Sequence, residues 1–245
     1  MLNELTIIAP VFNEEESLIR FRDEMNQYLD LSNIRTEVLF VNDGSVDKSL
    51  SIIQMICDND DRYSYLSFDT NYGLSTAIKA GIDYVNTRWV GYIDTDLQTS
   101  PMDFLHYYEF LESYSMINGI RAHRNDRFIK KMSSKVANGF RRLLINDGIA
   151  DTCCPLKIIE TDYAQRIPFF KGMHRFIPAL IQLYGGKVKQ VEVQHFPRIE
   201  GVAKYNLWNR MIGPFFDTLA FAWMKKRVIK YSIKQKKYEK ETVDL

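Results

Sequence analysis

Cysteine is scarce in this chain, with only Cys57, Cys153 and Cys154. Their number is odd, two are adjacent, and neither a CxxC pair nor a Cys/His ligand spacing occurs. No disulfide framework and no structural zinc site are expected, and the thiols read as reduced in a cytosolic setting. The four histidines, His106, His123, His174 and His195, show no ligand spacing and support no Ser/His/Asp arrangement, so they read as structural or solvated. No apolar run reaches the roughly 20 residues that span a bilayer. The nearest, Ile212 to Met224, contains Pro214 and Asp217. No basic n-region precedes the first apolar run, so no signal peptide is expected. No glycine-rich phosphate loop follows the first strand-like segment, which argues against a nucleotidyltransferase. Internal repeats and low-complexity segments are absent.

The 245 residues are 46% hydrophobic and 26% charged, the proportions of a globular chain. That length suits one large α/β domain with an appendage. A net charge of +1 conceals an asymmetry. Residues 1–115 carry 7 basic and 20 acidic side chains, whereas residues 116–245 carry 25 basic and 11 acidic ones. An acidic half suits a cation, and a basic half suits an anionic partner or surface. Nucleic acid is a poor candidate partner, because no recognised binding motif accompanies the basic half.

Leu5 to Val11, Glu37 to Val41, Tyr63 to Phe68 and Trp89 to Ile93 read as strands, being short, apolar and rich in β-branched or aromatic residues. Between them lie helical patterns. One, with Leu18, Phe21, Met25 and Leu29 inward, follows Asn13 as an N-cap with Glu16 completing a capping box. A second starts at Asp47, with Leu50, Ile53 and Ile56 or Cys57 inward, and a third spans Gly73 to Val85. This alternation predicts a mostly parallel, doubly wound α/β sheet flanked by helices. Further on, the pattern predicts a helix from Met102 to Ser113, a strand from Asn118 to Arg121 and a basic helical segment from Phe128 to Asn146. Strands over 151–159 and 187–195 follow, then a helix over 207–231 with Leu207, Met211, Phe215, Leu219 and Ala222 or Trp223 on one face. The expected organisation is a catalytic domain over residues 1–206 and an amphipathic helix with a polar tail over 207–245.

The stretch WVGYIDTDLQTSP ends a strand with Asp94, Asp96 and Gln98 at alternate positions. In extended backbone such residues point the same way, so the three are expected to converge. Two carboxylates and an amide oxygen suit a hard divalent cation, which fills its shell with water and substrate phosphates. Asn13 and Asp43 also sit just past strand ends, where doubly wound sheets bind ligands.

Several ordered pieces carry a resemblance: Pro10-Val11-Phe12-Asn13-Glu14, Asn42-Asp43-Gly44-Ser45 with Asp47, Asn71-Tyr72-Gly73 with Ala80-Gly81, Asp94-Thr95-Asp96-Leu97-Gln98, and Arg121 through Ser134-Lys135 to Asp151. Together they resemble the family 2 inverting glycosyltransferases of GT-A fold, nearest the branch that glycosylates polyprenyl phosphates. The resemblance implies that Pro10, Asn13, Glu14 and Thr95 contact the donor nucleotide, with Asp43 at its base. Asp94, Asp96 and Gln98 would hold Mg2+ or Mn2+ on the donor diphosphate, where a cation offsets the charge of the leaving group. Arg121 and Lys135 would hold the acceptor phosphate, with Arg124 and Arg127 spaced to join them. Asp151 matches an acidic position near the reacting centre and would be the general base for a hydroxyl acceptor. The segment Phe196 to Tyr205 resembles a mobile loop whose Arg198 and Lys204 reach the phosphates. Thr70 and Leu74 stand where relatives often carry Arg and Lys, which leaves the donor sugar and base (UDP or GDP, UDP favoured) open.

The implied partners are a nucleotide-sugar donor and a polyprenyl-phosphate or other lipid-linked acceptor, met at the cytoplasmic membrane face. Trp208, Met211, Phe215, Phe216, Leu219 and Trp223, followed by Lys225-Lys226-Arg227 and Lys230, fit a helix lying in a membrane interface or packing on a second subunit. Many relatives continue into two C-terminal transmembrane helices, and none is expected here. A sugar-hydroxyl acceptor in polysaccharide or lipopolysaccharide assembly is the alternative reaction, and a catalytically degraded scaffold subunit is the alternative outside enzymology.

Overall fold

A computed structural model describes residues 4–121, 144–197 and 207–229, the side chains of residues 207–212 and 214 excepted. Seven strands form one sheet: β1 (Glu4–Val11), β2 (Arg35–Asn42), β3 (Tyr63–Ser67), β4 (Trp89–Tyr92), β5 (Met116–Arg121), β6 (Lys157–Glu160) and β7 (Val188–Val193). Their order is β3-β2-β1-β4-β6-β5-β7. The first four are mutually parallel. β6 runs antiparallel to both β4 and β5, and β5 pairs parallel with β7. The expected mostly parallel α/β sheet is therefore present, with one reversed strand in its middle.

Both faces of the sheet are covered, which is why its central strands read as unbroken apolar runs. Along β1, Leu5, Ile7, Ala9 and Val11 enter one core, and Ile8 enters the other. β2 divides in the same way, with Val38 and Phe40 on one side and Leu39 and Val41 on the other. The first core is closed by α1 (Leu18–Leu31), α2 (Ser49–Asn59) and a ten-residue 3-10 helix (Pro101–Phe110). The second is closed by α3 (Leu74–Tyr84), α4 (Thr161–Arg166), α5 (Ile177–Leu183) and α6 (Leu207–Lys225). Within α6, Phe221 is 1% exposed and stacks on Phe176 at 5.2 Å between ring centroids. Phe216, Leu219 and Trp223 face outward instead. No helix of the described residues is long and apolar enough to cross a membrane.

Three expectations need correction. α1 begins at Leu18 after Ser17, and Asn13 does not cap it. Asn13 adopts φ 51°, a left-handed conformation that Asn tolerates, and its side chain accepts from the Val46 N–H at 2.8 Å. Its oxygen is thus committed to the neighbouring loop. The segment expected to be helical after Pro101 is a 3-10 helix. The strand expected over 151–159 is confined to β6, because residues 151–156 turn to reverse the chain direction. The expected basic helix of residues 128–146 lies almost wholly outside the described residues.

Candidate active site

β1 lies between β2 and β4, where the strand order 3-2-1-4 switches direction, and the carboxyl ends of these strands form the crevice that binds ligands in such sheets. The loops after β1 and β2 are laced together by side chains that cap backbone donors. The Asn13 N–H donates to Ser45 Oγ (3.0 Å), Glu14 N–H to Ser49 Oγ (2.9 Å), Glu15 N–H to Asp47 Oδ2 (3.2 Å) and Lys48 N–H to Glu15 Oε2 (2.9 Å). The turn between them needs Gly44, whose φ is +65° and where a Cβ would lie 2.3 Å from the Thr70 carbonyl carbon.

Asp43 is 4% exposed, and its carboxylate holds the 71–73 loop. It accepts from Tyr72 N–H (2.7 Å), Gly73 N–H (2.9 Å) and Asn71 Nδ2 (3.0 Å). Burial pushes the carboxyl above its usual range, and the two backbone donors pull it back. The carboxylate expected at the donor base thus also holds this loop as a wall of the crevice. Gly73, at φ +93°, leads from that wall into α3, and the ring of Tyr72 beside it is half exposed.

The chain beyond β4 is not extended, contrary to the reasoning from alternate positions. The strand ends at Tyr92, Thr95 and Asp96 form a turn, and Leu97 takes φ 53° with its side chain buried. Asp94 and Asp96 are nevertheless brought together, by the turn rather than by the pleat. Asp94 is pushed up to about 6, first by burial and then by the charge of Asp96, and is relieved by the Tyr92 hydroxyl, Lys157 and Arg121. Tyr92 Oη donates to Asp94 Oδ1 at 2.5 Å. Asp96 Oδ1 accepts from the Gln98 N–H at 3.2 Å, and Thr95 is buried. Two like charges held this close form a site for a cation. Among the described residues no three His, Cys, Asp or Glu side chains gather as a metal site. The pair suits a hard divalent ion whose remaining ligands are water and phosphate, with Gln98 close in sequence.

Gln98 also anchors the far side of the crevice. Its carbonyl accepts from Phe196 N–H (2.9 Å) and His195 Nδ1 (3.0 Å), and Asp103 Oδ2 accepts from Gln194 N–H (3.0 Å). Arg198 and Lys204 follow this docked segment in sequence. They lie outside the described residues, as do Lys135, Arg124, Arg127 and His123.

Arg121 and Asp151 form a buried, two-pronged ion pair. Arg121 Nε donates to Asp151 Oδ2 (2.7 Å) and Nη2 to Oδ1 (2.9 Å), and the two side chains are 11% and 9% exposed. The resemblance places one at the acceptor phosphate and the other as a base, and sequence alone does not pair them. Nor does it mark Lys157, 1% exposed at the start of β6, whose ammonium donates to the Cys154 carbonyl. His174 accepts or donates at Nδ1 with Ser75 Oγ (2.8 Å), and burial followed by Arg175 and Lys157 pushes it down to about 3. It is neutral and structural, as expected.

Residues 6–167 match the family model for glycosyl transferase family 2. The chain belongs to that family. Among curated relatives, a prophage bactoprenol glucosyl transferase homolog of Escherichia coli (strain K12) is 29% identical over 210 residues, covering 84% of this chain and 68% of the relative. An undecaprenyl-phosphate 4-deoxy-4-formamido-L-arabinose transferase of Yersinia pestis (strain Pestoides F) is 27% identical over 222 residues, covering 89% and 67%. Among solved structures, glucosyl-3-phosphoglycerate synthase from Mycobacterium tuberculosis, in complex with Mn2+, UDP-glucose and phosphoglyceric acid, superposes with a TM-score of 0.67 at 12% identity, covering 93% of this chain and 81% of that one. A mannosyltransferase from Pyrobaculum calidifontis, in complex with GDP-mannose and Mn2+, superposes with a TM-score of 0.63 at 15% identity, covering 93% and 65%. At those identities the likeness establishes the GT-A fold. This family 2 chain carries its Asp94 and Asp96 at the switch point of that fold.

Proposed function

We propose that this chain transfers a sugar, with inversion, from a nucleotide-diphosphate sugar to a polyprenyl phosphate. The observation that carries the reading is the pair Asp94 and Asp96, brought together by the turn after β4 at the sheet's switch point. The relatives that act on undecaprenyl phosphate or bactoprenol support the acceptor class. Asp94 and Asp96, with Gln98, would hold Mg2+ or Mn2+. The ion would supply positive charge to the diphosphate as it leaves. Pro10, Asn13, Glu14 and Thr95 border the donor nucleotide, and Asp43 acts there through the loop it holds. Residues 1–206 form the catalytic unit and 207–245 the appendage. Lys135, Arg198 and Lys204 belong to the phosphate-binding set.

The alternative, a sugar-hydroxyl acceptor, needs Asp151 as a base. Both of its oxygens accept from Arg121, and a paired guanidinium weakens a carboxylate as a proton acceptor. A phosphate acceptor is already ionised near neutral pH and needs no such base. The pairing therefore favours the phosphate. It also gives the ion pair a role, in fixing the wall beside Asp94.

The outward aromatics of α6, with Lys225, Lys226 and Arg227 exposed at its end, support a peripheral site on the inner face of the membrane. Basic residues near acidic lipid contribute roughly 1 kcal/mol each. Flotation with phosphatidylglycerol vesicles tests this. Binding lost on charge reversal at residues 225–227 is expected, and an unaltered dimer with no lipid binding would favour a second subunit instead.

The deciding assay offers UDP- and GDP-sugars with undecaprenyl phosphate, with and without Mn2+, using Asp96→Asn as control. A lipid-linked product that depends on metal and on Asp96 is expected. Donor hydrolysis without lipid product would refute the phosphate acceptor.

A further inference from the structure

By sequence alone His195 reads as a structural or solvated histidine, yet the fold brings it to the turn that carries Asp94 and Asp96. His195 lies two residues past the end of β7, and Gln98 lies in the turn after β4. β6 and β5 stand between those two strands in the sheet, so the segment after β7 has to cover about 14 Å, three strand spacings, to reach that turn. The 3-10 helix guides it there. Asp103 of that helix, 5% exposed, accepts from Gln194 N–H at 3.0 Å. His195 Nδ1 and Phe196 N–H then close on one acceptor, the Gln98 carbonyl, at 3.0 and 2.9 Å.

A carbonyl oxygen only accepts, so His195 Nδ1 carries the hydrogen in this contact. The imidazole and the Phe196 N–H together use both lone pairs of the Gln98 oxygen. On the other side of the same residue, Gln98 N–H donates to Asp96 Oδ1 at 3.2 Å. Gln98 is thus tied by its amide to one carboxylate of the pair, and by its carbonyl to a side chain 97 residues away. The turn needs such ties. Leu97 takes φ 53°, a conformation that persists in a leucine only where the surroundings over-determine it. Between Asp94 and Thr99 the half-buried residues are Asp94, Asp96 and Gln98, whereas Thr95, Leu97 and Thr99 are buried.

We propose that His195 is a positioning residue for Gln98. By holding the Gln98 carbonyl it fixes the peptide from which the side chain springs. It thereby sets whether the Gln98 amide oxygen reaches a divalent ion on Asp94 and Asp96. The inference rests on the reading of Asp94, Asp96 and Gln98 as the cation site.

The test reads Mn2+ binding by paramagnetic resonance, in the presence of UDP or GDP, whichever the wild type retains. His195→Phe keeps a ring and removes the donor. Groups that orient a metal ligand are worth about 10–100-fold in affinity, so a loss of at least about tenfold is expected. His195→Asn places an amide N–H about where Nδ1 stands and should stay within about threefold of wild type. A cycle with Gln98→Ala decides the route. Once Gln98 has no amide, His195→Phe should weaken Mn2+ by less than about twofold more. A further tenfold loss in that background would show that His195 acts elsewhere, which overturns the proposal. Wild-type Mn2+ affinity in His195→Phe also overturns it. If the Phe variant does not fold, the Asn variant decides: retention within threefold supports the proposal, and a tenfold loss overturns it. The underlying reading fails separately. If Asp96→Asn binds Mn2+ as wild type does, or wild type binds none, the cation site itself is lost. If only Gln98→Ala keeps wild-type affinity, Asp94 and Asp96 stand, and Gln98 and the role of His195 fall together.

Discussion

Asp151→Asn tests whether Asp151 is a chemical group or half of a buried pair. The substitution keeps shape and one acceptor oxygen but removes the charge facing Arg121, whose side chain is 11% exposed. Removing one partner of a buried ion pair strands the other charge and costs about 3–5 kcal/mol. A chain of 245 residues loses roughly 2–4 °C of melting temperature per kcal/mol. A fall on the order of 10 °C is expected by circular dichroism. The double variant Arg121→Met/Asp151→Leu should melt above Asp151→Asn, because no charge is left unpaired and neighbouring substitutions couple. Transfer to undecaprenyl phosphate, measured well below the melting point, should fall by less than about tenfold in Asp151→Asn. A general base contributes about a hundredfold or more. If the variant melted within about 2 °C of wild type and lost transfer a hundredfold, the pair would be structurally trivial, and Asp151 would be the base of a hydroxyl-acceptor enzyme.

Other expectations follow from single contacts. Tyr92→Phe removes the hydroxyl that holds Asp94 Oδ1; partners that orient a metal ligand are worth about 10–100-fold in affinity, so half-maximal transfer should need at least about tenfold more Mn2+ at a melting temperature little changed. Gly44→Ala places a Cβ into the Thr70 backbone at a positive φ; a loss of more than about 2 kcal/mol in urea unfolding is expected, since neither backbone can give way. His174 titrates at about 3 in the folded chain and near 6.5 unfolded, so the unfolded state takes up the proton first. Stability is then lost as pH falls below about 6.5, by up to roughly 1.4 kcal/mol per pH unit from this group. The drop in melting temperature between pH 7 and pH 5 should be smaller in His174→Gln than in wild type, and equal drops would contradict a neutral buried imidazole.

The parts of the site legible in the sequence are those set by local signals. β1, β2 and β4 are apolar runs that end in polar residues, and a sheet covered on both faces reads that way, so the crevice was placed from the strand ends alone. Asp94 and Asp96 were assigned to one point for a reason that does not hold. The chain turns at Thr95-Asp96 and passes through a left-handed Leu97, and no propensity marks a leucine for that conformation. Asn13 shows the reverse case. Its type and its spacing to Glu16 fit a cap, but the loop after β2 offers the Val46 N–H, and a side chain with one carbonyl oxygen took that donor.

What stayed hidden depends on contacts between distant segments. Arg121 and Asp151 are 30 residues apart and pair because β6 reverses direction between β4 and β5, bringing the turn before it against the end of β5. A single reversed strand leaves no trace in periodicity, since both directions alternate with period two. Lys157 is the sharper example. In Leu156-Lys157-Ile158-Ile159, alternation suggests that the lysine faces water while its neighbours face a core. In the sheet both faces are cores, Ile158 serving one and Ile159 the other, so the residue in phase with Ile159 has no solvent side to reach. Burial disfavours its charge, its ammonium donates to the Cys154 carbonyl, and the carboxylate that acts on it is Asp151, already held by Arg121. What keeps this lysine in place is thus the same turn between β5 and β6 that no local pattern announces.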